Sequence, residues 1–275
     1  MTTLSQRPRR ALVIFAVLAV FLPGGCRESG NGPTLPAAGS AISGSGSHSY
    51  STAFPEAENP ISESGNWISG SGGGRSSSAA HSKYGGRLWG DVQTTAGFAF
   101  GVDEPTEFGD PSAILTGSWG PTQTATAKVR VIKAPVGDCC HEVELRLRST
   151  IRDGSITGYE AYCSVMPNHR YCHIARWNGP NGSYWNFEPA VKTLSLADGD
   201  IMKATATGTN PTVITLYRNG EQILQAIDTG APGNGFAGYG PWTSGNPGIG
   251  FFDNHDDNWK DFGFSEFSAT DVEQK

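Results

Sequence analysis

Two short stretches hold the residues best able to do chemistry. In "HEVELRLRST" (residues 141–150) every second position is charged: Glu142, Glu144, Arg146, Arg148. In "GYEAYCSVMPNHRYCHIARWNG" (158–179) the same spacing yields Glu160, Tyr162, His173 and Trp177. Successive side chains of a strand point to opposite faces. The charged set of the first stretch therefore shares one face, and Val143, Leu145 and Leu147 share the other. Glu142 and Glu144 would stand about 6.5–7 Å apart by backbone rise. That is loosely compatible with the carboxyl pair of a glycosidase, which is set at about 5–5.5 Å in retaining enzymes. Sugar binding asks for less. A pyranose stacks its C–H face on a flat aromatic ring, and its hydroxyls seek carboxylate, amide or guanidinium partners. Trp177, Tyr162, Glu160, Glu144 and Arg146 suit that task, and "RWNGPNGSYWNF" (176–187) adds Asn178, Asn181, Tyr184 and Trp185. An alternating strand with its charges on a wet face would read the same way.

The elements that must position these groups are strands. If Pro167-Asn168 is a two-residue turn, cross-strand partners sum to about 335, with the turn chemistry as the guide. Glu160 then faces Ala175, Tyr162 faces His173, Trp177 faces Gly158, and Cys163 opposes Cys172. A disulfide between those cysteines is expected, since opposed strand positions come within disulfide reach. Tyr159, Ala161, Val165 and Ile174 fall on the other, aliphatic face, and Arg176 falls there too. The polar-aromatic strip is expected to point outward from the core, on the concave sheet. Along the rest of the chain, short alternating runs are separated by Gly, Pro, Asn and Asp. Strands are expected near 65–69, 87–93, 97–102, 112–118, 123–133, 140–150, 156–166, 171–178, 184–188, 200–208, 212–219, 221–228, 247–252 and 262–270. Asn219-Gly220 marks a tight hairpin. The pattern predicts an all-β, two-sheet antiparallel sandwich.

Ahead of this domain lies an address. Arg7, Arg9 and Arg10 precede "ALVIFAVLAVFLPGG", then Cys26. The apolar run is too short to span a membrane and reads as an export signal over residues 1–25. A cysteine after Gly24-Gly25 fits a lipoprotein signal, with Cys26 as the lipidated residue and the sole membrane anchor, although Pro23 departs from that pattern. Plain secretion is the alternative. Residues 26–48 are Gly/Ser/Pro-rich and read as a disordered tether. Residues 49–275 form one domain. Setting Cys26 aside leaves four cysteines, an even number for an exported protein. The formal charge of −6 argues against nucleic acid. A monomer is expected.

The tail carries a resemblance. "GDIMKATATGTNPTVITLYRNGEQILQ", then "GNPGIGFF", then "FGFSEFSAT" resembles the closing strands of the concanavalin A-like lectin/glucanase superfamily, laminin-G-like modules included. The opening "GDVQTTAGFAFG" resembles bacterial members of that group. The resemblance implies a jelly roll over roughly residues 50–271 and leaves function open, because the fold hosts lectins, hydrolases, lyases and inert modules. Jelly-roll glucanases carry Glu-x-Asp-x-Glu or Glu-x-Asp-x-x-Glu on one strand; here the fourth residue after Glu142 is Arg146, so the motif fails. Jelly-roll polysaccharide lyases use Arg, His and Tyr, for which Arg146, His173 and Tyr162 are the right types. The missing carboxylate spacing favours a glycan binder over a hydrolase, and an adhesion or protein-interaction module is the third class. No cofactor is expected beyond a candidate structural Ca2+ in "DNHDDNWKDFGF" (253–264), with Asp253 and Asp257, and separately Asp271, as ligands; the order of a calcium loop is absent. Cys139-Cys140 would form a vicinal disulfide, stay reduced or pair elsewhere.

Overall fold

The computed structural model describes residues 47–73, 89–102, 110–137, 139–152, 155–191, 193–231, 240–253 and 259–272. The export signal, Cys26, the tether and Asp257 lie outside these described residues. Among the described residues fifteen strands follow one another: β1 (Ser49–Thr52), β2 (Trp67–Ser69), β3 (Val92–Thr95), β4 (Phe98–Gly101), β5 (Ser112–Leu115), β6 (Thr122–Val131), β7 (Glu142–Arg152), β8 (Ser155–Ser164), β9 (Cys172–Pro180), β10 (Tyr184–Val191), β11 (Ile201–Thr207), β12 (Thr212–Arg218), β13 (Glu221–Asp228), β14 (Asn246–Phe252) and β15 (Phe262–Val272). They build an eight-stranded sheet in the order β13-β12-β11-β6-β15-β4-β3, with β1 also on β15, and a seven-stranded sheet β10-β9-β8-β7-β14-β5-β2. Every pairing is antiparallel. The expected two-sheet sandwich is what forms.

Alternation decides what goes between the sheets. Val143, Leu145 and Leu147 of β7, Tyr159 and Ala161 of β8 and Ile249 and Phe251 of β14 face Phe262, Phe264 and Phe267 of β15 in one buried core. The β15 spacing is not a plain period of two. A register shift between Phe264 and Glu266 lets Phe267 return to the core side. Asn219 and Gly220, at φ 51° and 86°, close the β12–β13 hairpin as expected for a primed two-residue turn. The strand the sequence left unread is β1: four residues of "SYST" paired with Phe267–Thr270 are too short to declare an alternation.

The hairpin register is the expected one. β8 and β9 pair Gly158 with Trp177, Glu160 with Ala175, Tyr162 with His173 and Cys163 with Cys172. Cys163 and Cys172 are disulfide-bonded across a Cα–Cα distance of 4.1 Å and lie in the core. Cys139 and Cys140 form the vicinal pair, so the four cysteines are matched two by two.

Three expectations are corrected. Arg148 does not join the strip: a bulge between Leu147 and Thr150, with Arg148 at φ 49°, turns its side chain away. Its guanidinium donates instead to the carbonyls of Pro121, Gly208 and Trp242 and to the Thr212 hydroxyl, at 2.6–2.9 Å. Arg176, on the inner face as expected, pairs at 2.8 Å with Asp228, which also accepts the Tyr159 hydroxyl at 2.8 Å. Trp185 pairs with Arg176 in β10–β9, and Asn178 follows Trp177. By alternation both face away from the strip, so they do not stand beside Trp177. Finally, the strip is not open to solvent: Glu144, Arg146, Glu160, Tyr162 and Trp177 are all buried.

A carboxylate cavity on the outer sheet face

The strip is roofed by a second, smaller apolar cluster on the outer face of the seven-stranded sheet. Trp89, Ile114, Ile151, Ile156 and Trp177 pack there, with Ile68 against them. Trp89 meets Trp177 edge-on, with ring centroids 4.7 Å apart. The Arg146 guanidinium lies against both rings, 5.6 Å from Trp89 and 5.4 Å from Trp177, within cation–π range.

That guanidinium organises three carboxylates. Its Nη2 donates to Asp110 at 3.0 Å and to Glu144 at 2.7 Å, and its Nη1 lies 2.8 Å from Glu160. The oxygens of Asp110, Glu144 and Glu160 all come within 4.8 Å of one another. The Trp177 indole N–H donates to Glu160 as well. Register explains the meeting. Arg146 is opposite Glu160 across β7–β8, and Glu144 is two residues along the same face. Asp110 arrives from the far side of β14, just before β5. It reaches Arg146 because the intervening strand presents glycine: Gly250 sits between Ser112 and Glu144. A Cβ there would collide with the Glu144 carboxylate and stand 3.0–3.1 Å from Arg146 Nε and Nη2. Gly250→Ala is accordingly expected to cost about 1–3 kcal/mol, as overpacking does, and to weaken any ligand held by the cavity. Thermal unfolding and a binding titration on the same sample check this.

Above the cluster is a cavity of about 280 Å³. Its wall includes Asp110, Glu142, Glu144, Glu160, Tyr162, Trp177, Asn181 and Tyr184, and the Cys139–Cys140 pair and Phe252 lie at its edge. Tyr184, half-exposed, packs on Trp177 with centroids 4.8 Å apart. The Tyr162 ring stacks on His173 at 5.4 Å, and its hydroxyl donates to Asn186 Oδ1 at 3.0 Å. Glu142 accepts the Tyr171 hydroxyl.

Four carboxyl groups around one buried cation cannot all ionise freely. Burial pushes Glu142 up to about 8, against the Tyr171 hydrogen bond, and the Glu160 and Asp110 charges add to the rise. Burial also drives Glu144 well above the usual carboxylate range, the Glu160 charge adding to it and Arg146 opposing it. Glu160 is raised by burial and held back by Arg146 and the Trp177 N–H. For Arg146, burial favours loss of the proton, yet Glu160, Glu144 and Asp110 together outweigh it and raise its pKa. Tyr162 is raised by burial, with Glu142 and Glu160 adding.

Of the residues marked in the sequence, the cavity thus gathers Glu142, Glu144, Glu160, Tyr162, Trp177 and Tyr184, with Arg146 beneath and His173 behind Tyr162. Asp110, Trp89 and Tyr171 were not foreseen. Asp110 sits in "GDPSAIL", where Asp-Pro ahead of an apolar strand reads only as a strand start. Of the expected calcium ligands, Asp257 lies outside the described residues, and Asp253 and Asp271 have protein partners. Asp253 lies buried against His141 Nε2 at 3.2 Å. Asp271 accepts the backbone N–H groups of His48 and Gly120 and faces His48 Nδ1 at 2.9 Å. Burial would raise the Asp271 pKa; those hydrogen bonds lower it instead.

No protein-family model matches the chain, and no curated protein matches its sequence. Solved structures do. The CBM2 module of the evolved Dit protein of Lactobacillus casei BL23 phage J-1 superposes with a TM-score of 0.50 at 12% identity, covering 84% of this chain and 98% of that one. The carbohydrate binding module CBM66 from Bacillus subtilis gives 0.44 at 13% identity, over 77% and 96%. An endo-1,3-β-glucanase from Streptomyces sioyaensis gives 0.46 at 9% identity, over 89% and 100%. At such identities the likeness is one of architecture, and it agrees with the two sheets and their order: the chain is a β-sandwich with the concanavalin A-like jelly-roll fold.

Proposed function

We propose that this protein binds carbohydrate, taking a single sugar residue of a glycan into the outer-face cavity. The carrying observation is the wall itself: Trp177, Tyr162 and Tyr184 beside Asp110, Glu144 and Glu160, around about 280 Å³. Aromatic faces stack on sugar C–H groups, and carboxylates take hydroxyls in pairs. A volume of this size suits one ring and not an extended chain. The structural neighbours described as carbohydrate-binding modules support the reading. Export on the signal over residues 1–25, with Cys26 as lipid anchor, is part of the proposal and would place the cavity outside the cell.

A hydrolase is the second reading. It is favoured by one observation, a strongly raised Glu144 beside Glu160 and Asp110, which resembles an acid next to its partner carboxylate. Against it, one guanidinium holds an oxygen of each of the three carboxylates, so no two of them stand apart as an independent acid and nucleophile. A lyase has less support. Arg146 is shared among three protein carboxylates and lies buried beneath the cavity, where it is poorly placed to neutralise a uronate, and burial raises Tyr162.

The test is a panel of neutral, amine-bearing and uronate-rich glycans. Binding is followed by calorimetry, and cleavage by new reducing ends and by the absorbance of unsaturated ends. The binder predicts heat without new ends. Reducing ends that disappear in Glu144→Gln would replace it with the hydrolase. Silence on every glycan would remove the carbohydrate reading and leave a protein-interaction module.

A further inference from the structure

The charge of the cavity says which sugar it can hold. Its described lining contains four carboxyl groups, Asp110, Glu142, Glu144 and Glu160, and no basic side chain. Among the described residues the cation in contact is Arg146, which lies fully buried beneath and is shared among three of the four. One positive charge against four acids leaves the wall short of cations whenever two or more of the carboxyls are ionised. A buried ion needs a partner of opposite sign or it loses its charge. Donors are in surplus nearby as well: the buried Arg146 Nε and Trp89 Nε1 have no hydrogen-bond partner. The site is thus closed beneath by N–H groups and lined above by carboxyl oxygens.

We infer that the sugar taken by this cavity carries a free protonated amine, an amino sugar whose nitrogen is not acylated, and that uronates are refused. The inference rests on the carbohydrate reading above. An ammonium on the ring supplies up to three donors to a wall of carboxyl oxygens, and it adds positive charge beside the carboxylates that Arg146 shares. The ring hydroxyls are left to the remaining carboxyl oxygens, and its C–H face to Trp177 and Tyr184. A uronate would instead bring a fifth carboxylate into the same volume, and like charges at this range disfavour each other strongly when desolvated. Acylation removes the charge and adds bulk in a cavity sized for one ring.

The test uses the whole chain and matched trisaccharides that differ only in the terminal residue: glucosamine, N-acetylglucosamine, glucose or glucuronate, with galactosamine and galactose as a second pair. Calorimetry at pH 6 and low salt is expected to show the amine-bearing member binding at least tenfold tighter than its hydroxyl counterpart. The advantage should shrink as salt rises, and the uronate should give no heat. Asp110→Asn is expected to weaken the amine ligand more than the neutral one. Should that variant not fold, the salt dependence on the unaltered protein carries the same information. Equal or tighter binding of the neutral, acylated or uronate sugar overturns the amine inference while leaving the carbohydrate reading intact. Competition by spermidine or Ca2+ as strong as by the amino sugar overturns it too, because the cluster would then be a generic cation sink. Failure of every sugar overturns both.

Discussion

Arg146→Met should destabilise the protein by about 3–5 kcal/mol, the usual result of leaving buried charges without their partner. For a domain of this size that is a fall in Tm of roughly 6–20 °C, at about 2–4 °C per kcal/mol. Methionine fills much of the same volume, so the loss is electrostatic and not a cavity effect. The loss should also depend on pH, with a definite sign. Burial raises Glu142 from 4.5 to about 8, and raises Glu144 and Glu160 in the same direction. A carboxyl whose folded pKa is raised holds its proton in the native state where the unfolded chain has released it. Its contribution to stability is complete below about 4.5 and is lost as pH climbs to about 8. Removing Arg146 raises these carboxyls further, so the Tm deficit of the variant should be larger at pH 8 than at pH 5. Circular dichroism melts at both values decide the matter. An unchanged or smaller deficit at pH 8 would mean that Arg146 is not the counter-charge of this cluster.

Trp177→Ala is the second large effect. The indole packs on Trp89 and Tyr184, lies over Arg146, and donates its N–H to Glu160. Truncation should cost about 3–5 kcal/mol of stability and at least about 30-fold in sugar affinity, the scale of a central aromatic anchor. Trp177→Phe separates the two roles. It keeps a ring for stacking and leaves Glu160 short of one donor, so affinity should fall only a few-fold while Glu160 titrates higher. Calorimetry is preferable to fluorescence here because the chain has seven tryptophans. Unaltered affinity in Trp177→Ala at a temperature where it is folded would remove Trp177 from the site.

The strands were legible because alternation is a one-dimensional signal. "HEVELRLR" and the 158–179 hairpin declare their faces without help from the rest of the chain, and the turn at Pro167-Asn168 gives the register that opposes Cys163 to Cys172. What alternation does not encode is depth. The strip was expected to be wet because it is charged, yet Trp89 closes over it from a segment more than fifty residues upstream, and Asp110 comes from across Gly250. Those are contacts between distant segments, set by sheet order, and no local pattern announces them. Arg148 shows the complementary limit. Its place in the alternation is perfect, but one residue at positive φ reassigns it to the sandwich end. The charge of the cavity stayed hidden for the same reason as the burial: it is a sum around a volume, which exists only once β5, β7, β8 and β14 lie side by side.

One consequence concerns force. The chain enters the sandwich through β1, which pairs only with β15, while Asp271 clasps the His48 N–H at the entrance. β15 is itself held by β6 along ten paired positions and touches β4 further along. A pull on the residues before His48, resisted by a glycan in the opposite sheet, therefore loads four pairs and one carboxylate clasp first. β1 would peel away while the long β15–β6 seam and the cavity stay whole. If the residues before His48 are the proposed tether and the cavity the proposed grip, the short first strand would act as a mechanical fuse, giving slack before the grip is lost.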